Sequence, residues 1–447
     1  MNSNKKIICF IYPSSYDENG KTVKMKQVSM PSRTLPYLAA LTPDEYQTRI
    51  IDERVEGLQR SIDVDLIALT GMLKQIPRAI DIAKEFKDQG KKVIIGGTGV
   101  FALQHELENL DCFDSIVIGE AEGIWDEILD DFNKGNLKKT YHGQHLQELK
   151  GLPFARFDLL NHKDYRKVIN DPRMFPIPIE TSRGCPHSCK FCLVTEYFGK
   201  KMRYRPVSEV VDEIRYQGGN SIFFTDDNIA VNPDRARELF KALKPLDIHW
   251  VGEFDTTIIN NPEIIELAAE GGCRSAIIGI ESLNKDNLVT VQKYHNIDVP
   301  IKELIQYFKK SNINVVCSVI FGMDHDTPES IWETTDFMIE NNVEMMIPWI
   351  LTPLPKTAVY DELKNAGRIL HNNYSLYDAT NCVIQPSRME PEELEIVYWR
   401  TFKHFYNLRA IIPRCSNRGS LKESLRLFIR ELYFRNGVNR HKHPMFY

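Results

Sequence analysis

Nowhere in this chain do 18 uncharged apolar residues follow one another, so no segment is a candidate for spanning a membrane as a helix. There is no excess of positive charge either. Lys and Arg number 56 against 61 Asp and Glu, a formal charge of −5, so no global basic field would draw a nucleic acid. Nine cysteines, an odd number in 447 residues, form no disulfide framework, and free thiols suit a reducing cytoplasm. The apolar run 7–12 (IICFIY), ended by Pro13, is too short for a signal-peptide core and reads as a first strand. Hydrophobic content of 43% and charged content of 26% are ordinary for a globular protein of two or three domains. One more absence is the informative one: no fourth cysteine follows Cys185, Cys189 and Cys192 at ligand spacing.

Those three lie in the run Thr181-Ser-Arg-Gly-Cys-Pro-His-Ser-Cys-Lys-Phe-Cys192. Cys-x3-Cys-x2-Cys puts three thiolates on one short loop, close enough to hold one inorganic cluster. A [4Fe–4S] cluster normally takes four thiolates, so three leave one iron open to a small molecule. Structural zinc prefers a closed set of four ligands, which makes a zinc knuckle less natural. Three unrelated core cysteines would be the bland alternative, and clustering this tight argues against it.

Around the loop the chain reads as an α/β protein in three parts. Residues 1–145 alternate strand and helix signals, with strands near 6–12, 47–52, 64–70, 92–96 and 114–118 and a helix at 75–89. Such alternation predicts a parallel, Rossmann-like sheet whose ligands bind at the carboxyl ends of its strands. Thr70-Gly71 and Gly96-Gly97 fall at two of those ends, where glycine lets a bulky ligand approach the backbone; tight turns would need the same residues. A polar linker (146–172) leads to a second part, 173–352, with six strand–helix units. Its strands are expected near 177–181, 220–225, 247–253, 274–280, 313–321 and 345–351. Six units predict a partial, open (β/α)6 barrel, with the cysteine loop on the carboxyl edge where barrel enzymes carry their chemistry. Residues 353–447 read as a mixed, then α-helical, capping region. From Arg414 onward its tail has eight Lys/Arg against two Asp/Glu, with Leu421, Leu425, Phe428 and Leu432 at helical spacing. That stripe either packs on its own protein, the commoner case, or meets anionic lipid or an acidic partner.

The cysteine loop resembles that of the radical S-adenosylmethionine (SAM) superfamily, and both domains together resemble its cobalamin (B12)-binding branch. The nearest subgroup includes the hopanoid methylases and tetrapyrrole enzymes related to the magnesium-protoporphyrin monomethyl ester cyclase. The likeness covers nearly the whole chain. It rests on Gly96-Gly97, Gly119-Glu-Ala-Glu122 with Trp125, the cysteine loop, and Phe224-Thr-Asp-Asp-Asn228. Gly279-Ile-Glu-Ser282, Phe321-Gly322, Leu351-Thr-Pro-Leu-Pro355, and Tyr377-Asp378 ahead of Pro386 complete the ordered set.

This resemblance implies that Cys185, Cys189 and Cys192 ligate a [4Fe–4S] cluster whose open iron chelates SAM, with Phe191 near the adenine. It implies cofactor contacts from Asp226, Asp227, Asn228 and Glu281, since SAM's ammonium and ribose hydroxyls want oxygen acceptors. Asn228 reads equally as a helix cap. Glu120 and Glu122, taken with Thr70, Gly71, Gly96 and Gly97 as cofactor-binding candidates, could instead favour the start of a helix. Two departures stand out. Thr98 follows the double glycine where many relatives carry histidine or proline, so cobalamin is expected without a histidine beneath the cobalt. The string Asp247-Ile-His249-Trp-Val-Gly252 matches a cobalt-ligand motif, but it falls inside a strand of the second part and is read as chance. Lys356 also stands where relatives usually have glycine.

The expected activity is a cobalamin-dependent radical SAM methyltransferase acting on an unactivated carbon of a small-molecule, lipid-like or amphiphilic substrate. A flavodoxin or ferredoxin would supply electrons. Cyclisation, ring rearrangement or oxidation without methyl transfer is the alternative with the same cofactors; a metal-bound sensor or scaffold without turnover is a third reading.

Overall fold

A computed structural model of the chain describes residues 5–24, 30–59, 61–161, 165, 176–416 and 421–444. Its first sheet is fully parallel. It is built from Ile7–Tyr12 (β1), Gln47–Asp52 (β2), Leu66–Thr70 (β3), Lys92–Gly96 (β4), Ser115–Gly119 (β5) and Thr140–Gly143 (β6). The order β2-β1-β3-β4-β5-β6 changes direction at β1/β3, where a doubly wound sheet opens its ligand crevice. Both faces are covered, so β1 and β3 are apolar runs up to their carboxyl ends rather than alternating. Helix Ile76–Asp88 buries Ile76, Ala79, Ile82, Ala83 and Phe86 at helical spacing against one face. The sixth strand was not expected: Thr140–Gly143 is short and polar, and only its pairing with β5 makes it a strand.

The second sheet is also parallel and open. Ile177–Ile179 (β7) opens it, and Ser182–Arg183 (β8) forms a separate antiparallel pair with Arg203–Tyr204 (β9). Ser221–Phe224 (β10), His249–Phe254 (β11), Cys273–Glu281 (β12), Asn314–Phe321 (β13) and Met345–Ile350 (β14) follow, in the order β14-β13-β12-β11-β10-β7. Six strands with intervening helices make the partial barrel the periodicity implied. His249 is exposed at the start of β11, against Arg274, remote from the first sheet's carboxyl edge.

One apolar cluster runs from one face of the first sheet through the barrel into the C-terminal helices. The other face of the first sheet has its own cluster around Phe10, Leu66, Val117 and Trp125. The stretch read as a linker is not a free strap where it is described. Phe157, Leu160 and Tyr165 are buried in that second cluster, and Tyr165 donates to Asp52 at 2.8 Å. Much of it, 162–164 and 166–172, lies outside the described residues.

The tail departs from expectation. Helix Leu421–Asn439 leaves Leu421 87% and Leu425 57% exposed, with Leu432 also exposed and Phe428 half-buried, so the stripe is not packed on its own protein. Two of its arginines turn inward instead. Arg414 and Arg430 pair with Glu431, and Arg430 also with Glu344, which removes two of the eight cations from the tail's surface charge.

Candidate functional site

The cysteine loop leaves the barrel between β8 and β9, on the carboxyl side of β7. Gly184 starts it at φ +96°, and a Cβ there would lie 2.6 Å from the Lys201 carbonyl, so no other residue fits without a backbone shift. Neighbouring elements hold the loop from several directions. Cys185 N–H donates to Gly199 O at 3.3 Å, Lys190 N–H to Val291 O at 3.0 Å, and Val359 N–H to Lys190 O at 3.1 Å. His187 Nε2 meets Asp255 Oδ2 at 2.7 Å, and the His295 ring stacks on His187 with centroids 3.6 Å apart. Cys185, Cys189 and Cys192 are half-buried, whereas the other six cysteines are buried in the core. Burial pushes all three thiols up, Cys192 to about 12, and each also feels negative charge from neighbouring acids or cysteines. Three crowded thiolates are tolerable there only beside a compensating cation, which is what an iron cluster supplies.

Two cavities adjoin the loop. One, of about 360 Å³, lies over the carboxyl ends of the first sheet and is lined by Thr70, Gly71, Gly96, Gly97, Glu120 and Asp227 among others. Gly97 has φ +103°, and a Cβ on it would fall 2.5 Å from Thr70 Oγ1; that bare backbone shapes the floor. Among the described residues, no histidine lines this cavity. The other, of about 490 Å³, is walled mostly by Phe191, Leu193, Tyr197, Ile320, Trp349 and Leu351, and reaches Glu281. Met72, Thr98, Tyr197 and Phe198 line both. Tyr197 belongs to the short helix after the cysteines and crosses to the first sheet, donating to Gly119 O at 3.2 Å.

The radical SAM superfamily pattern matches residues 179–338, spanning the loop and β10 to β13. These residues are a radical SAM domain. Its chemistry uses a [4Fe–4S] cluster and SAM. Over the longer chain several relatives are methyltransferases by name and two are magnesium-protoporphyrin IX monomethyl ester cyclases. The bacteriochlorophyllide d C-12(1)-methyltransferase of Chlorobaculum tepidum is 29% identical over 88% of this chain and 86% of its own. The hopanoid C-2 methylase of Rhodopseudomonas palustris is 26% identical over 77% of this chain and 66% of its own. In fold, the chain is similar to the radical SAM methyltransferase TsrM of Kitasatospora setae, solved with cobalamin and a [4Fe–4S] cluster. The TM-score is 0.62 at 15% identity, over 81% of this chain and 75% of that one.

Within the radical SAM domain the expected contact residues separate by what they touch. Asp226 is 1% exposed and accepts from Thr181 N–H at 3.0 Å, Thr181 Oγ1 at 2.7 Å and Ser182 Oγ at 2.5 Å. Its carboxylate therefore anchors the strand leading into the cysteines rather than facing a ligand. Asn228 donates to Asp255 Oδ2 at 2.7 Å and accepts from Ala230 N–H. It is not the helix cap; Asn232 is, accepting from the amides of Asp234 and Arg235. Asp227 alone of the three opens to the cavity, and burial with the charges of Asp226 and Glu180 pushes its carboxyl up to about 7. Glu281 sits at the end of β12 with φ +62°, 3.1 Å from Lys293 Nζ.

Glu120 and Glu122 do not begin the following helix, which starts at Trp125. Arg183 bonds Glu120 at 3.1 Å and Glu122 at 2.6 Å, and Arg203 bonds Glu120 at 2.6 Å. Their carboxylates are engaged at the junction of the two sheets, one residue before Gly184 of the loop. Sequence reading missed Lys293, a buried ammonium whose charge acts on Cys189. It also missed Glu253, whose carboxyl is raised by its enclosed surroundings and by the charges of Asp227 and Glu281 although its side chain still reaches solvent. The visible signal for Glu253 was an acid inside the otherwise apolar end of β11; for Lys293 there was none. Lys356 sits at φ +77°, which explains why glycine suits that position.

Proposed function

We propose that the chain is a cobalamin-dependent radical SAM methyltransferase that acts on an unactivated carbon of a small-molecule or lipid-like substrate. The observation that carries this reading is the shared wall of the two cavities. The apolar cavity reaches Phe191 and Glu281 beside the cysteines, and it borders the first sheet's groove along Met72, Thr98, Tyr197 and Phe198. A carbon held there has SAM chemistry on one side and a sheet-edge cofactor on the other. In this reading residues 1–145 bind cobalamin, 146–172 link, 173–352 hold cluster and SAM, and 353–447 close the cavity. When bound, the cluster supplies the electron that cleaves SAM and cobalamin supplies the methyl group.

The chain's own residues bind and orient. Cys185, Cys189 and Cys192 would ligate the cluster, and Asp227 would accept from SAM's ammonium or ribose. Gly96 and Gly97 would let a broad ring lie against the backbone, with no histidine below it. Arg183, bonded to Glu120 and Glu122, couples the two sheets so that both cofactors keep a fixed separation. The aromatic walls keep water from the reacting carbon. A reducing cytoplasm and a flavodoxin or ferredoxin donor belong to the same reading. The relatives of higher identity, methyltransferases by name, support methyl transfer, while two relatives named as cyclases support the ring-closing alternative.

Anaerobic reconstitution with iron, sulfide and hydroxocobalamin tests it. About four irons and about one cobalt per chain are expected; iron without cobalt refutes the cobalamin assignment. Product carrying the label of methyl-labelled SAM is then expected. An unlabelled, dehydrogenated or ring-closed product would move the chain to the cyclising alternative.

A further inference from the structure

The C-terminal helix Leu421–Asn439 has two apolar faces, and only one of them is packed. Phe434 and Val438 turn inward: Val438 is fully buried, and the Phe434 ring meets Tyr406 edge-on with centroids 6.1 Å apart. Near them Glu431 is enclosed by Arg414 and Arg430. At 3.6 residues per turn, the second apolar set, Leu421, Leu425, Ile429 and Leu432, falls within an arc of about 80° on the opposite side of the helix. All four are exposed, Ile429 at 59%. The stripe is therefore not the margin of the core face. It is a separate surface roughly 16 Å long.

Cations flank this stripe on both sides. Lys422 and Arg426 stand about 20–60° beyond one edge of it, and Arg435 about 40° beyond the other. Lys422 and Arg426 are exposed and Arg435 is half-buried; among the described residues none of the three is paired with an acid. Arg430, by contrast, is held by Glu344 and Glu431. Among the described side chains the helix shows no exposed acid, because Glu431 is fully buried. The preceding helix, Leu408–Ser416, packs against this one and leaves Leu408 and Ile412 exposed, with Arg409 also exposed and unpaired. A chain whose formal charge is −5 thus gathers uncompensated cations beside exposed leucine and isoleucine at one end.

We propose that this face docks the protein on an anionic lipid bilayer, with helix Leu421–Asn439 lying in the plane of the headgroups. A helix at that depth sinks its apolar side about 5–10 Å into the boundary between headgroups and acyl chains, while flanking Lys and Arg reach back to the lipid phosphates. Leu421, Leu425, Ile429 and Leu432 supply the apolar side, and Lys422, Arg426 and Arg435 supply the two charged flanks. A second copy of the chain suits the face less well. A twofold contact would set the same unpaired cations against one another, with no exposed acid of this helix to receive them. Docking stands apart from the methyl-transfer reading, since it needs neither cofactor nor substrate.

Co-sedimentation of the full chain with vesicles of phosphatidylglycerol and phosphatidylcholine in equal parts tests it, with pure phosphatidylcholine vesicles as the control. Binding about tenfold or more tighter to the anionic vesicles is expected, because each cation at such a surface adds roughly fivefold. Raised salt should remove most of that difference. Lys422→Gln, Arg426→Gln and Arg435→Gln together should erase the preference. Leu425→Gln with Ile429→Gln should weaken binding to the anionic vesicles by about tenfold or more, as two apolar side chains no longer enter the bilayer. These side chains reach solvent in the free protein, so both variants should keep the parent's thermal midpoint. No binding to vesicles, equal binding to both kinds, or binding that either variant leaves intact would each overturn the proposal. A dimer in sedimentation equilibrium that Leu425→Gln with Ile429→Gln dissolves, without vesicle binding, would overturn it in favour of a contact between copies of the chain. Failure of the methyl-transfer reading would appear separately, as iron without cobalt or product without label.

Discussion

Replacing Asp226 separates two roles that its position in the sequence allows. As an anchor, it satisfies three buried donors: the Thr181 amide, the Thr181 hydroxyl and the Ser182 hydroxyl. Asp226→Ala would orphan all three. Each unsatisfied buried group costs about 1–3 kcal/mol, so the low end of the sum is about 3 kcal/mol. If that cost falls on local opening of the segment, amide exchange over residues 181–185 should accelerate by about 100-fold, taking ~1.4 kcal/mol per factor of ten. Cluster content should fall with it. Asp226→Asn should be far milder, about 1 kcal/mol or less, because its carbonyl can still accept from the Thr181 amide while the two hydroxyls rotate to accept from its NH2.

The pH dependence adds a second readout. Burial raises the Asp226 carboxyl above its unfolded value, so the folded state binds a proton more tightly than the unfolded one. Stability from this group is full below the unfolded value near 3.8 and is lost as pH rises through the raised one. Asp226→Asn should flatten that slope. Hydrogen exchange with mass spectrometry, iron analysis and SAM titration decide the matter. If Asp226→Ala left exchange and iron unchanged but weakened SAM binding, Asp226 would be a SAM ligand and the anchoring argument would fail.

Changing Cys185, Cys189 or Cys192 to Ala should abolish bound iron and turnover together; a variant with full iron content would refute the cluster assignment. Arg183→Met removes one member of a buried ion network and should cost about 3–5 kcal/mol, read as a lowered thermal midpoint. Arg183→Lys should recover little, since one ammonium cannot span Glu120, Glu122 and Glu180. SAM binding should tighten as pH rises through about 7, where Asp227 ionises, and Asp227→Asn should remove that dependence. The same ionisation weakens the fold above that pH, so Asp227→Asn should be more heat-stable than the parent in mildly alkaline buffer. Lys356→Gly, relieving a side chain at φ +77°, should stabilise by up to about 1 kcal/mol, measured as a raised thermal midpoint.

Strand positions were legible because buried parallel strands are continuous apolar runs and their helices repeat every three to four residues. That is why the expected strands at 92–96 and 313–321 lie within a residue of Lys92–Gly96 and Asn314–Phe321. Thr140–Gly143 carries no such run and stayed hidden. The tail misled for a related reason: a stripe at helical spacing records that a face is apolar, not whether anything covers it. In the site, the sequence could bring Asp226, Asp227 and Asn228 to one strand end but could not say where each side chain points. Asp227 opens to the cavity, and partners on the cysteine loop and just after β11 claim the other two.

By itself, then, the sequence determined what is local. A Cys-x3-Cys-x2-Cys loop after a strand, glycines at strand ends and eleven βα-type strands are set by spacing and backbone preference over a few residues. Tertiary structure decided everything that depends on distant neighbours. Glu120 becomes an ion-pair partner because Arg183 arrives from 63 positions away, and Lys293 comes to lie beside Cys189. Lys74 and Asp378, far apart in sequence, come to line the same two cavities. Charge and burial act through space, and only the folded chain fixes which groups share it.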